Sequence, residues 1–384
     1  MQRLRALMSR LRRSPRALLV MAVLAVLLAA AVLDVPGRLG DLAPADSPAA
    51  KATPTPTVTT DPGRLINLKN AENEGLDRCT PGSAVLAKCG PAPALGDGTW
   101  LGGYPTRIED LQGSVALVDF FSGSCINCRR DARYLNAWQK LYGPSGLRII
   151  GIHTPEFDFE KDVGQLSRTL KSLSIGFPVL QDQAFATLTD YRSQVLPSKY
   201  LVDRSGTVRA ITFGEGGYFR IEAQIRKLLT EGRPGATLPD PLKELDDGED
   251  VEPGTTGQIN LGESRGRRYD NESDTVVGLD TRFRLPRDQP QGTFSFGGLW
   301  RVGSQDASPR EAAVARVSFR GRRAYQLVSG TGVLVVTSSD GTVRRIEVDG
   351  GPDLRQISSR DQFGPETLTV RYEGDLQVYA FSFG

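Results

Sequence analysis

The stretch Val115-Ala-Leu-Val-Asp-Phe-Phe121 constrains this chain most, because it is a buried-type strand that gives way within four residues to Cys125-Ile-Asn-Cys128 and then to a helical run, Arg129 to Tyr142. A short apolar, β-branched run bounded by a tight connection reads as a core strand. Two cysteines three apart at the start of the following helix stand where backbone N–H groups lack partners and the helix dipole favours an anion. The spacing brings both sulfurs within bridging distance and leaves the first more exposed than the second. Such a pair can exchange disulfides: the Cys125 thiolate attacks a substrate disulfide, and Cys128 then displaces the reduced substrate and closes an intramolecular disulfide. The plainer alternatives are a structural disulfide or half a zinc site. The strand-to-helix setting favours the redox reading, since His153 is the only histidine and a closed zinc site would have to recruit Cys79 and Cys89 as well.

The surrounding pattern alternates strands and helices. A second strand is expected at Leu147 to Ile152, helices at Phe159 to Leu173 and Ala184 to Arg192, a hairpin from Tyr200–Asp203 and Val208–Phe213, and a closing amphipathic helix at Arg220 to Leu229. The order βαβα then ββα predicts an α/β domain, a central mixed sheet with helices on both faces. Beyond Gly257 the pattern changes to short alternating runs separated by glycine-rich turns, around Gly292–Trp300, Ala313–Phe319, Ala324–Val328, Val333–Thr337, Val343–Val348, Thr367–Tyr372 and Leu376–Phe383. This predicts an all-β sandwich or jelly roll.

A chain of 384 residues suits two such domains plus connecting segments. Residues 1–34 read as a basic cytoplasmic tail and an apolar run, Ala17 to Leu33, that serves as a single-pass signal-anchor or as a cleaved signal segment ending at Ala29-Ala30-Ala31. The arginines before it would keep the N-terminus inside and export the rest, leaving a membrane-tethered protein in the first case and a secreted one in the second. Residues 35–64 read as a disordered stalk rich in proline, alanine and threonine, and 232–257 as an acidic linker including Glu244, Asp246, Asp247, Glu249, Asp250 and Glu252. The folded parts are 65–231, which carries Cys79 and Cys89 in an N-terminal extension, and the β-domain at 258–384. A formal net charge of +2 points to no nucleic-acid partner. An even cysteine count in an oxidising compartment favours a structural disulfide between Cys79 and Cys89; a second redox pair exchanging with Cys125 is the alternative.

Val118-Asp-Phe-Phe121, the CINC motif and Leu196-Pro197-Ser198 before a strand resemble a thioredoxin fold. The resemblance implies that Asp119, six residues before Cys125, is the buried acid that relays a proton to Cys128, and that Pro197 is the cis-proline facing the disulfide. Ser124 to Cys128, Gly151-Ile-His-Thr-Pro-Glu-Phe157, Phe177-Pro-Val179, Phe213-Gly-Glu-Gly-Gly-Tyr218, Phe296-Gly-Gly-Leu-Trp-Arg-Val-Gly303 and the terminal Tyr379-Ala-Phe-Ser-Phe-Gly384 are similar to the exported thioredoxin-like region of DipZ-type proteins with its C-terminal module akin to carbohydrate-binding modules. The resemblance covers about Trp100 to Gly384. It implies an extracytoplasmic thiol:disulfide oxidoreductase without cofactor or metal, acting on exported protein disulfides or thiols; reduction is the direction expected, and oxidation by the same motif run in reverse is the alternative. The multi-span electron-transporting domain of that family has no counterpart here, so its electrons are expected from a separate membrane protein of the CcdA/DsbD type.

The more distant TlpA/ResA reductases place a tuning acid where Asp131 stands; a solvated first-turn charge is the alternative. Glu156, His153 and Glu215 are candidates for the rim of the site, with structural or surface roles as the alternative. Tyr269, Trp300, Tyr325 and Tyr372 are candidates for a sugar-stacking platform binding glycan or cell wall, or for core. A thiol peroxidase of the peroxiredoxin-like branch and a non-enzymatic wall-binding protein are the competing functions.

Overall fold

A computed structural model describes residues 69–103, 106–233, 235–243, 252–263 and 277–384, all within one compact unit. The apolar run Ala17–Leu33, the stalk, five of the six acidic linker residues and Tyr269 lie outside the described residues. Among the described residues no helix is long and apolar enough to cross a membrane.

The first domain is built on β2, Val115–Phe121, whose seven residues are all buried. Its neighbours are β3, Leu147–His153, which runs parallel to it, and β5, Ser198–Val202, which runs antiparallel. Outside these lie β4, Val179–Gln181, beyond β3, and β6, Val208–Phe213, paired to β5; β1, Thr99–Leu101, closes the far edge against β4. The mixed six-stranded order β1-β4-β3-β2-β5-β6 is the sheet of a thioredoxin-like fold. β1 and β4 are three residues each, too short to show a period, and neither is visible as a strand in the sequence.

Helix α1, Ile126–Tyr142, buries Leu135, Trp138 and Tyr142 at the three- and four-residue spacing that keeps one face on the sheet. It begins three residues before Arg129, because Cys125 caps it. The expected helix from Phe159 to Leu173 is in fact two elements: a single 3-10 turn, Asp158–Lys161, and α2, Val163–Ser172. The break falls at Asp162, which adopts an extended backbone and accepts the Gln165 N–H on its side chain at 2.6 Å, an N-cap starting a new helix. Helix α3, Ala186–Asp190, lies between β4 and β5, and α4, Tyr218–Thr230, ends the domain.

Cys79 and Cys89 are disulfide-bonded, with Cα atoms 5.4 Å apart. Their segment lies along the outer edge of β6, where Gly82 and Ala87 donate N–H groups to Ile211 and Arg209 and Cys89 donates to Val208. The bond therefore pins an added edge to the sheet. Replacing both cysteines by alanine is expected to lower stability by about 3 kcal/mol, from the closure entropy of a loop this short. Urea unfolding with Cys125–Cys128 kept oxidised measures it.

The second domain is all-β, and its sheet is barrel-like. It comprises β7, Ile259–Asn260, β8, Asp280–Phe283, β9, Phe294–Val302, β10, Ala307–Pro309, β11, Val314–Thr337, and β12, Val343–Phe383. The short β10 hydrogen-bonds to both β9 and β12, which closes the ring β9-β11-β12-β10. The separate runs expected from Ala313 onward merge into β11 and β12, because the ladder continues through their bends. Ala324 to Thr337 is paired on both sides, with Val343–Ser358 and with Thr369–Phe383. The strands cross so closely that a Cβ at Gly374 would stand 2.5 Å from the Thr331 carbonyl oxygen.

Candidate active site

Cys125 follows the irregular segment Ser122-Gly123-Ser124 at the end of β2 and is the N-cap of α1. It is disulfide-bonded to Cys128, with Cα atoms 5.2 Å apart. Cys125 is 8% exposed and Cys128 3%, so an incoming sulfur meets Cys125 first. The N–H of Cys128 points at the Cys125 sulfur at 3.1 Å. That donor has no carbonyl partner in a first helical turn and is available to a thiolate at Cys125. All four cysteines are thus paired two by two, and the four-thiolate zinc alternative has no shared centre.

Asp119 lies on β2, the strand that leads to the disulfide; it is buried, and its Oδ1 accepts no hydrogen bond from the described residues. Burial pushes its carboxyl up to about 8, reinforced by the Asp131 charge and opposed by Lys199. At neutral pH it carries a proton. The strand register sets Asp119 opposite Lys199 on β5. Lys199 is itself buried and pairs with Asp131, whose other oxygen accepts the Tyr218 hydroxyl at 2.6 Å. Tyr218 in turn stacks on Tyr134 of α1, with ring centroids 3.5 Å apart. Asp131 is therefore no solvated first-turn charge but one half of a buried ion pair, and with Asp119 neutral the group of three balances in charge.

Pro197 is joined to Leu196 by a cis peptide bond and immediately precedes β5. Since Ser198 pairs with Phe120, this proline stands at the same end of the sheet as the loop to Cys125. Asn127, inside the motif, accepts from Arg130 Nη2 at 2.7 Å, and Arg130 is held by Glu215 through bonds of 2.7 and 2.8 Å. Burial pushes the Glu215 carboxyl above its ordinary range despite that arginine. Glu215 is thus a buried partner of the active-site helix.

Glu156 accepts the Ser124 hydroxyl at 3.2 Å, one residue from the nucleophile. His153 is buried at the end of β3, packed edge-on against Phe121. Trp300, Tyr325 and Tyr372 are buried in the β-domain, with Trp300 stacked on Phe296 at 4.1 Å, so these three present no open face to a sugar.

Two residues that the sequence did not single out belong to this site. Lys199 is the one charged residue of β5, one position ahead of the strand expected at Tyr200, and its place opposite Asp119 appears only once the strands are paired. Glu160 accepts hydrogen bonds from Ser122 Oγ, Ser124 N and Ser124 Oγ, at 2.9 to 3.1 Å, and from the backbone N–H groups of Glu156 and Phe157. Burial alone would raise its carboxyl, but His153, Ser122 and the Phe157 N–H overturn this and hold it below the ordinary range.

The chain matches two family models, the AhpC/TSA family over residues 92–211 and the thioredoxin-like C-terminal domain over 256–384. It is 35% identical to the protein DipZ of Mycobacterium bovis over 325 residues, 83% of this chain and 46% of that one. Together these matches support a thioredoxin-like protein of the DipZ type. It spans about half the length of the DipZ proteins it matches. It is also 26% identical to the thiol-disulfide oxidoreductase YkuV of Bacillus subtilis, over 37% of this chain and 95% of that protein. Among solved structures, a thiol:disulfide interchange protein DsbE from Chlorobium tepidum is 25% identical over 36% of this chain and 95% of its own, with a TM-score of 0.32.

What this placement can do chemically is exchange disulfides. A Cys125 thiolate can attack one sulfur of a substrate disulfide; that S–S bond then breaks, and the other substrate sulfur leaves with the electron pair and takes up a proton. Cys128, deprotonated by an ionised Asp119, can then attack Cys125 Sγ; the mixed disulfide breaks, and the second substrate sulfur departs as a thiolate that takes its proton from water. The buried Asp119 carboxyl keeps the proton until the disulfide is next opened.

Proposed function

We propose that this chain is an extracytoplasmic thiol:disulfide reductase, tethered to the membrane by its N-terminal apolar run, that reduces exported protein disulfides through Cys125 and Cys128. The observation that carries this reading is the combination of a helix-capping Cys125, the less buried of the pair, with the protonated, buried Asp119 on the strand that leads to it. A structural disulfide has no use for an acid poised near neutrality. Electrons are resupplied, in this reading, by a separate membrane electron-transfer protein of the CcdA/DsbD type. The six arginines ahead of Ala17–Leu33 support export of the catalytic part. Protease accessibility in intact spheroplasts tests the location: digestion of the catalytic part only after lysis would reject it.

Titrating the purified protein in graded glutathione buffers, with the cysteine states read by alkylation and mass, tests the activity. A reversible transition near the roughly −270 mV of thioredoxin is the expected result, one near roughly −120 mV would turn the assignment to an oxidase, and none at all would reject redox exchange. The match of residues 92–211 to the AhpC/TSA family gives a thiol peroxidase its one supporting observation. Against it stand Phe121-Ser-Gly-Ser124 ahead of the nucleophile, where peroxidases of that branch carry proline and threonine, and the pairing of Cys125 with Cys128. Thiol-dependent consumption of hydrogen peroxide would revive it.

A further inference from the structure

The loop Ser122-Gly123-Ser124 presents the nucleophile, yet nothing regular in its own backbone fixes it. Two side chains do. Glu160 gathers the hydroxyls of Ser122 and Ser124 and the Ser124 N–H, and Arg129, from the first turn of α1, donates Nε to the Gly123 carbonyl at 2.7 Å. The fit is close: a Cβ at Gly123 would lie 2.9 Å from Thr169 Cγ2 and 3.3 Å from Glu160 Oε1.

Each of these two struts is anchored at its other end in the β-domain. Arg129 Nη2 pairs with Asp353 Oδ1 on β12 at 2.8 Å. Glu160 rides on the 3-10 turn whose flanking rings, Phe157 and Phe159, stack on one another and both meet Tyr379 edge-on, with centroids 5.6 and 5.0 Å away. Leu327 and Ala380 complete this small buried cluster. The same turn donates the Asp158 N–H to Gln305 Oε1, between β9 and β10, at 2.7 Å, and Gln165 of α2 donates to the Pro352 carbonyl at 3.0 Å.

We propose that the β-domain is a brace for the nucleophile loop, and that Tyr379 and Asp353 act as positioning residues which set the reactivity and redox poise of Cys125 from outside the catalytic domain. The inference rests on the redox reading of Cys125 and Cys128. A loosened loop lets Cys125 drift from the Cys128 N–H, and its thiolate loses that donor. The reduced form is destabilised while the disulfide is not, so the pair becomes more reducing and the thiol less reactive.

The test uses the full chain in the glutathione equilibrium, in which the protein disulfide and two glutathione thiols give the protein dithiol and one glutathione disulfide. Destabilising the dithiol moves that equilibrium back toward the protein disulfide, so the couple's potential falls and the pair, as a donor, is the stronger reductant. Tyr379→Ala is expected to shift the equilibrium about tenfold toward the protein disulfide, about 30 mV for a two-electron couple. Asp353→Asn, which removes the charge facing Arg129 and keeps the shape, is expected to shift it about threefold. Both should slow Cys125 alkylation at neutral pH in the same order. Val343→Ser, at an exposed site elsewhere in the β-domain, should titrate with the parent protein. Folded variants that titrate and alkylate like the parent would overturn the brace. Should Tyr379→Ala fail to fold, Asp353→Asn decides alone, since its side chain is 43% exposed and its loss leaves no buried gap. A parent protein without a reversible couple would sink the redox reading instead, a distinct result.

Discussion

Cys125→Ser is expected to abolish disulfide exchange, lowering the rate of reduction of a model protein disulfide by roughly three orders of magnitude or more, as loss of a covalent nucleophile does. Cys128→Ser should behave differently. Its Cys125 can still attack, but no second sulfur stands behind it to resolve the product, so a mixed disulfide with substrate accumulates and survives non-reducing electrophoresis. The asymmetry follows from burial: Cys125 at the helix N-cap is the less buried of the two, and Cys128 lies deeper, with its N–H turned to its partner. Capture of substrate by Cys128→Ser and its absence in Cys125→Ser, scored side by side, measures the order of the two roles. Capture by Cys125→Ser alone would reverse the assignment.

What the sequence made legible was whatever is local. The seven-residue core strand, the paired cysteines at a helix start and the hairpin around Gly206 each declare themselves within about ten residues, and the structure places them as elements of one sheet. The merging of β11 and β12 was hidden because a ladder that runs through glycine bends leaves the same alternation as separate strands. The break at Asp162 was hidden by the apolar periodicity on either side of it, although an aspartate ahead of a helical run is itself a start signal. The site divided in the same way. Asp119 and Pro197 were reachable through resemblance, since they keep fixed places relative to the motif. Glu160 and Lys199 act through contacts 36 to 38 and 68 residues away, to Ser122 and Ser124 and to Asp131, and only the folded chain brings those together. For Asp131 the residue type left two roles open, and burial removed the solvated one.

Asp119→Asn should change stability and rate in opposite directions, each with its own pH dependence. In the disulfide form the carboxyl sits near 8 when folded and near its ordinary value of 3.8 when unfolded. The unfolded chain therefore sheds this proton first, and the folded state is penalised increasingly as pH rises from about 4 to about 8, after which the penalty is constant. Asparagine removes that penalty: no gain is expected at pH 4, and a gain on the order of 5 kcal/mol as a ceiling at pH 8 and above. Urea unfolding of the oxidised protein at the two pH values reads the difference. The rate should fall instead. When a dithiol opens the Cys125–Cys128 bond by attack on Cys125, the electron pair goes to Cys128, and protonated Asp119 is the acid placed to supply its proton. Expressed per attacking thiolate, this opening should slow as pH rises through about 8 in the parent protein; in Asp119→Asn it should be roughly a hundredfold slower and flat across that range. A variant that is stabilised with the predicted pH dependence but exchanges at the parent rate would leave Asp119 as a buried acid without a catalytic part, and would pass the proton relay to the charged groups that act on it, the Lys199–Asp131 pair.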